Sequence, residues 1–114
     1  MAQRVPEGNE IDPKTGLPLC ALCDRVIPAE ARQSLHHLVP KLRGGKGGAV
    51  VLVHQICHNE IHASASEAEL ARLWNTPEAL RRHPRLAAFI QWIRTRPPGF
   101  HSKTPGARRG GRRR

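Results

Sequence analysis

An α+β fold, consisting of a small stapled β-hairpin backed by one helix and followed by C-terminal helices, is what the 114-residue sequence predicts. Three observations predict it. A run around Ser34 to Pro40 and the β-branched run Ala49 to Val53 flank a glycine-rich stretch, which reads as two strands joined by a long loop. Paired cysteine and histidine positions bracket that hairpin on both sides, at Cys20/Cys23 and His54/Cys57. After His62 the polar and apolar residues switch to helical spacing, punctuated by helix-start signals.

The first hairpin strand is expected over Ser34 to Pro40 and the returning strand over Ala49 to Val53. Between them, Lys41-Leu-Arg-Gly-Gly-Lys-Gly-Gly48 has four glycines in eight residues, which makes regular structure unfavourable and leaves Lys41, Arg43 and Lys46 on a loop able to approach a partner closely. A short helix is expected from Cys57 to about Ala63. Ser66-Glu-Ala-Glu69 is a capping-box pattern that opens a second helix through Trp74. Thr76-Pro77 supplies an N-cap and a first-turn proline for a third. His83-Pro84 breaks it, and a helix resumes in which Leu86, Phe89, Ile90 and Ile93 form one apolar stripe, expected to pack on the hairpin. Pro97-Pro98 ends that helix. The organisation is thus a flexible lead-in over residues 1–18, one domain over 19–98 (core 19–63, helical extension 64–98) and a Gly/Arg-rich tail over 99–114 expected to be disordered without a partner.

Composition limits what such a domain can be. A single domain of this length buries a modest core, so a metal staple would add stability it otherwise lacks. Nineteen Lys and Arg against nine Asp and Glu give a formal charge of +10 and a pI near 11.2, which points to a polyanionic partner. No apolar stretch approaches a membrane span, and the N-terminal Met1-Ala-Gln-Arg-Val-Pro-Glu-Gly-Asn-Glu has no signal-peptide core, so a cytoplasmic location is expected. Three cysteines, two of them three positions apart, fit thiolate metal ligation better than a disulfide framework.

Two ligand sets emerge. Cys20-x-x-Cys23 and His54-x-x-Cys57 are knuckle-spaced pairs thirty residues apart, and three thiolates with one imidazole complete a closed, tetrahedral, structural Zn²⁺ shell. The second set is His36, His37, His58, Asn59 and His62. On a helix beginning near Cys57, His58 and His62 are i and i+4 and share a face, the spacing that lets two imidazoles grip one cation. A metalloprotease helix places Glu directly after its first His; here Asn59 stands there, and Glu60 points off the face. Of His36 and His37, neighbours on a strand, one can join the metal while the other stands beside it.

Cys-x-x-Cys, then His36-His37-Leu-Val-Pro-Lys, then a strand running into His54-x-x-Cys57-His58-x-x-x-His62, resembles the HNH endonuclease family over roughly residues 19–63. The resemblance implies a ββα-metal core and metal-dependent hydrolysis of DNA phosphodiester bonds to 5′-phosphate and 3′-hydroxyl products. His37 would be the general base toward water; His36, His58 and His62 would hold the catalytic divalent cation, with Asn59 as a further candidate ligand. Imidazole ligands suit Mn²⁺, Ni²⁺ or Zn²⁺ better than Mg²⁺. The family's central Asn would fall near Ala49, where this chain has none, which bears on how firmly loop and base are held. The expected partner is double-stranded DNA, with a homodimer or a larger phage or restriction-associated nuclease partner compatible with the pattern. Lys41, Arg43, Lys46 and the tail residues Arg108, Arg109, Arg112, Arg113 and Arg114 are the expected phosphate contacts. The alternative is a catalytically inactive zinc module that binds nucleic acid.

If the five tail arginines follow phosphates, their removal should flatten the slope of log affinity against log salt by roughly 2 to 4 units, at about 0.9 per phosphate neutralised. Titration of full-length and truncated protein against labelled duplex at several salt concentrations checks this, and an unchanged slope would make the tail a solvated appendage.

Overall fold

The computed structural model describes residues 5–40 and 48–101, and the architecture is α+β, as the sequence predicts. Strand β1 (Gln33–His37) pairs antiparallel with β2 (Val50–His54), with Leu35 opposite Leu52 and His36 opposite Val51. One further bond, from the Leu38 amide to the Ala49 carbonyl, extends the ladder toward the loop. Pairing ends before Pro40, which has no amide proton to give. The tip of the hairpin, residues 41–47, and the end of the chain, residues 102–114, lie outside the described residues, and with them Lys41, Arg43, Lys46 and the tail arginines.

Helix α1 (Gln55–Ser64) starts on the residue after β2. The sequence places its start two residues later, at Cys57; no Ser, Thr, Asp or Asn stands at the observed N-cap. His54 occupies that position with φ −57° and ψ 146°, and no side chain caps the helix. Instead, the Gln55 amide donates to the Arg32 carbonyl at 2.8 Å, so the hairpin ladder itself satisfies one of the helix's first free N–H groups.

The remaining starts match their local signals. Helix α2 (Glu67–Arg72) carries the complete capping box between Ser66 and Glu69, and α3 (Pro77–Arg82) is capped by the Thr76 hydroxyl accepting from Ala79 N at 3.0 Å. Helix α4 (Pro84–Ile93) begins where His83 Nδ1 accepts from the Arg85 amide. Helix α2 ends at Arg72, short of the expected Trp74.

Packing corrects one expectation. The stripe Leu86, Phe89, Ile90 and Ile93 is buried, but α4 lies chiefly against α1 and α3, not on the hairpin. Helix α1 already covers the hairpin, so α4 adds a layer behind it. Glu60, on the side of α1 away from His58 and His62, is 1% exposed and pairs with Arg85 of α4 at 3.0 Å. The core between these layers is built from Leu22, Ile27, Leu52, Ile56, Ile61, Leu70, Leu80, Leu86 and Ile93.

A second correction concerns the segment expected as a flexible lead-in. Residues 5–18 are docked on the domain. Asn9 is buried and its side chain reaches β2: Nδ2 donates to the carbonyls of Leu52 (2.9 Å) and Leu19 (2.8 Å), and Oδ1 accepts from Leu52 N (2.7 Å). The Ala21 amide also donates to Leu52 O at 3.2 Å. Asn9 thus behaves as a one-residue strand on the outer edge of β2, pairing groups that a two-stranded ribbon leaves open.

Asn9→Ala should lower stability by about 2–3 kcal/mol, the cost of leaving buried peptide groups of Leu52 and Leu19 poorly paired. Asn9→Asp should cost at least as much, since a carboxylate cannot donate to two carbonyls. Urea midpoints check this, and wild-type stability in either variant would show that the lead-in does not brace β2.

Candidate metal centres

The knuckle begins with the chain entering from Leu19 and turning at residues 20–25, where Asp24 N donates back to Cys20 O and Cys20 N donates to Arg25 O. Asp24 takes φ +64°, a left-handed conformation that Asp tolerates better than most residues. This turn puts Cys20 and Cys23 side by side. From the other direction the end of β2 supplies His54, and the first turn of α1 supplies Cys57. All four are buried, and their ligand atoms lie within 4.8 Å of one another, a grouping that could hold a metal ion.

Neighbouring groups orient these ligands. His54 Nε2 donates to the Val26 carbonyl at 3.1 Å, which fixes the tautomer and turns Nδ1 to the sulfurs, 3.4 Å from Cys23 Sγ. The His54 amide donates to Cys20 Sγ. Arg81 Nη2 donates to Ala21 O and Arg94 Nε to Cys23 O, tying α3 and the end of α4 to the knuckle. Hydrogen bonds from Cys20 and Cys57 hold the Cys23 thiol far below its ordinary range, while contacts with Cys20 and Cys23, together with burial, push the Cys57 thiol up. Burial works to lower His54, yet its bonds to Cys20 and Cys23 prevail and raise it to about 9. A cluster that stabilises thiolate beside imidazolium is one in which a soft cation can replace the shared protons.

The second grouping is His36, His58 and His62, again with ligand atoms within 4.8 Å. Strand alternation turns His36 toward α1, where His58 and His62 stand one turn apart. Ring centroids are separated by 5.2 Å (His36–His58), 5.3 Å (His36–His62) and 4.9 Å (His58–His62). His36 is fully buried, and neither ring nitrogen has a hydrogen-bond partner among the described residues. Burial first, then the charges of His58, His62 and His37, lowers its pKa to about 3; burial and the charges of His62 and His37 lower His58 to about 4. His62, more exposed, is lowered by burial and partly restored by Glu67. Burial thus disfavours a proton on all three imidazoles, whose ring nitrogens are grouped closely enough that they could hold a metal ion.

The structure brings together the residues of both groupings singled out in the sequence, Cys20, Cys23, His54 and Cys57 in one and His36, His58 and His62 in the other. His37, beside them at the end of β1, is half-buried and close enough for its charge to bear on His36 and His58. The Oδ1 of Asn59, the further candidate ligand, accepts from Gln55 Nε2 at 2.9 Å, one turn back on α1. Ser34 went unnoticed in the sequence although its Oγ lies 2.7 Å from His58 Nδ1. Its position two residues before His36, hence on the same strand face, is the signal that could have found it.

No protein-family model matches the chain, and no solved structure matches it. Over 86 residues it is 39% identical to a Bacillus subtilis (strain 168) protein described as uncharacterized protein YisB, a match covering 75% of this chain and 83% of that one.

Cys20→Ser or Cys57→Ser should abolish tight metal binding and most helical circular dichroism, because a structural ion supplies folding energy outright in so small a core. Full helical signal without bound metal would refute the clamp. With only the sulfur centre loaded, acid should weaken the fold below about pH 6.5, where unfolded histidine takes up a proton that buried His36 refuses until about pH 3. His36→Gln should flatten that loss between pH 7.5 and 5 in urea melts; an equal loss would show that His36 does not contribute it.

Proposed function

The chain belongs to the family of the Bacillus subtilis protein YisB, and we propose that it is a metal-dependent endonuclease of the HNH type, hydrolysing phosphodiester bonds of DNA. The observation that carries this reading is His36: a fully buried imidazole with both nitrogens unpartnered among the described residues, facing two more imidazoles on α1. Leaving such a group unpaired is unfavourable unless something else binds it. A divalent cation fits the donor set. The sulfur centre, closed by four protein ligands, would hold structural Zn²⁺ and take no part in the chemistry.

Bound at His36, His58 and His62, a divalent cation would supply positive charge beside the scissile phosphate and the departing 3′ oxygen. The residues do the rest. His37 stands next in sequence to a ligand, so it is held at the edge of the centre while remaining accessible. Its imidazole removes the proton from the attacking water. Attack at phosphorus leaves the phosphate on the 5′ side and a hydroxyl at the 3′ end. Because α1 begins without a linker, His58 and His62 are fixed relative to β1 by the same turn that anchors Cys57, so the base and the ligands keep one geometry. The charge of +10 favours a polyanionic substrate.

A second reading, a zinc module that binds nucleic acid without cutting it, is favoured by Ala49, which stands where the HNH pattern has its central Asn. The two readings part on supercoiled plasmid. The nuclease should nick it with Mn²⁺ or Ni²⁺ and stop on addition of chelator. His37→Ala should slow nicking by at least about 10²-fold, the usual scale of a lost general base, while leaving folding and DNA affinity intact. Undiminished nicking by His37→Ala would remove its role as base. No nicking by the wild type with any cation would favour the binding module.

A further inference from the structure

Ser34 and His36 occupy alternate positions of β1 and so face α1 together. His36 offers its own ring to the imidazole cluster, whereas Ser34 reaches His58, with Oγ 2.7 Å from Nδ1. That bond engages one ring nitrogen of His58 and leaves Nε2 as the one free to bind a cation. The sulfur centre uses the mirror arrangement: the Val26 carbonyl takes the His54 Nε2 proton and leaves Nδ1 for the sulfurs. A carbonyl can only accept, so His54 has one tautomer. A hydroxyl both donates and accepts, so Ser34 can give its proton to Nδ1 in the free protein and accept the Nδ1 proton when Nε2 is coordinated.

We propose that Ser34 is the positioning residue of the imidazole centre, accepting the His58 Nδ1 proton and thereby presenting Nε2 to the cation shared with His36 and His62. The proposal rests on the reading of that cluster as a divalent-cation site. Several features of the fold make Ser34 suited to the task. It pairs with Val53 inside the ladder, one residue from the end of β2, so its backbone position is fixed relative to the start of α1. Its short side chain has one torsion to fix, and the bond spans strand and helix, so it sets the rotation of the His58 ring about an axis that helix geometry alone leaves free. His62, one turn on, is the more exposed ligand, which makes the orientation of His58 the more decisive of the two.

The test uses full-length protein with zinc in the sulfur centre, titrated with Co²⁺ and followed by visible absorption, together with long-range ¹H–¹⁵N correlations of His58. Wild type should bind one further cobalt. A diamagnetic zinc-loaded sample should show His58 Nδ1 protonated. Ser34→Ala should bind the second cobalt about 10- to 100-fold more weakly, the usual cost of losing the outer partner of a ligating histidine. Ser34→Thr, which keeps the hydroxyl, should stay within a few-fold of wild type. If wild type binds a second cobalt and Ser34→Ala binds it equally well, the positioning role is overturned while the cation site stands. Equal weakening in Ser34→Ala and Ser34→Thr would likewise overturn it, because the hydroxyl would then not be what matters. If wild type binds no second cobalt, the cation-site reading fails and the proposal with it.

Discussion

Cys20, Cys23, His54 and Cys57 converge at the place where β2 passes into α1 with no residue between. Two of the four ligands lie on either side of that junction, and the other two come from a turn more than thirty residues upstream. Holding them together fixes the angle at which the helix leaves the sheet. It also fixes the helix's rotation, since Cys57 must face the knuckle. Successive residues on a helix are about 100° apart, so once Cys57 is set, His58 and His62 turn toward β1 and Glu60 toward α4. An imidazole cluster on one side and the pairing of buried Glu60 with half-exposed Arg85 on the other follow from one rotational choice.

The same junction explains how so short a chain holds a fully buried histidine whose ring nitrogens have no hydrogen-bond partner among the described residues. His36 is opposite Val51 in the ladder, and that stretch of β2 is braced from outside by Asn9 and Ala21 on Leu52, from below by the knuckle and from above by α1. Burial of an imidazole with no partner is a cost that the surrounding packing must offset. The neutral state imposed on His36 and His58 by that burial suits them to a cation rather than to a proton.

Much of this was legible in the sequence wherever the information is local. Ligand spacings of three and four residues, the Ser66/Glu69 box, and Thr76-Pro77 and His83-Pro84 as helix starts each depend on a few neighbours, and the structure places them as expected. What was not legible depends on partners far along the chain. Asn9 in a Pro-rich segment looks like a loop residue, because its role is set by the Leu52 backbone 43 residues away. Helix α1 starts early because the Arg32 carbonyl satisfies Gln55, a bond that no capping pattern announces. The apolar stripe of α4 was evident, but not that α1 would already occupy the hairpin face.

The central claim is that one strand–helix junction carries two metal centres of different character, a closed sulfur site and an exchangeable imidazole site. Native mass spectrometry of the purified chain, before and after dialysis against a moderate chelator and then after addition of Ni²⁺, tests it most directly. The account predicts one ion retained through dialysis and a second, of nickel, gained afterward by the wild type but not by His36→Ala. A single ion under every condition, or a second ion gained equally by His36→Ala, would contradict it.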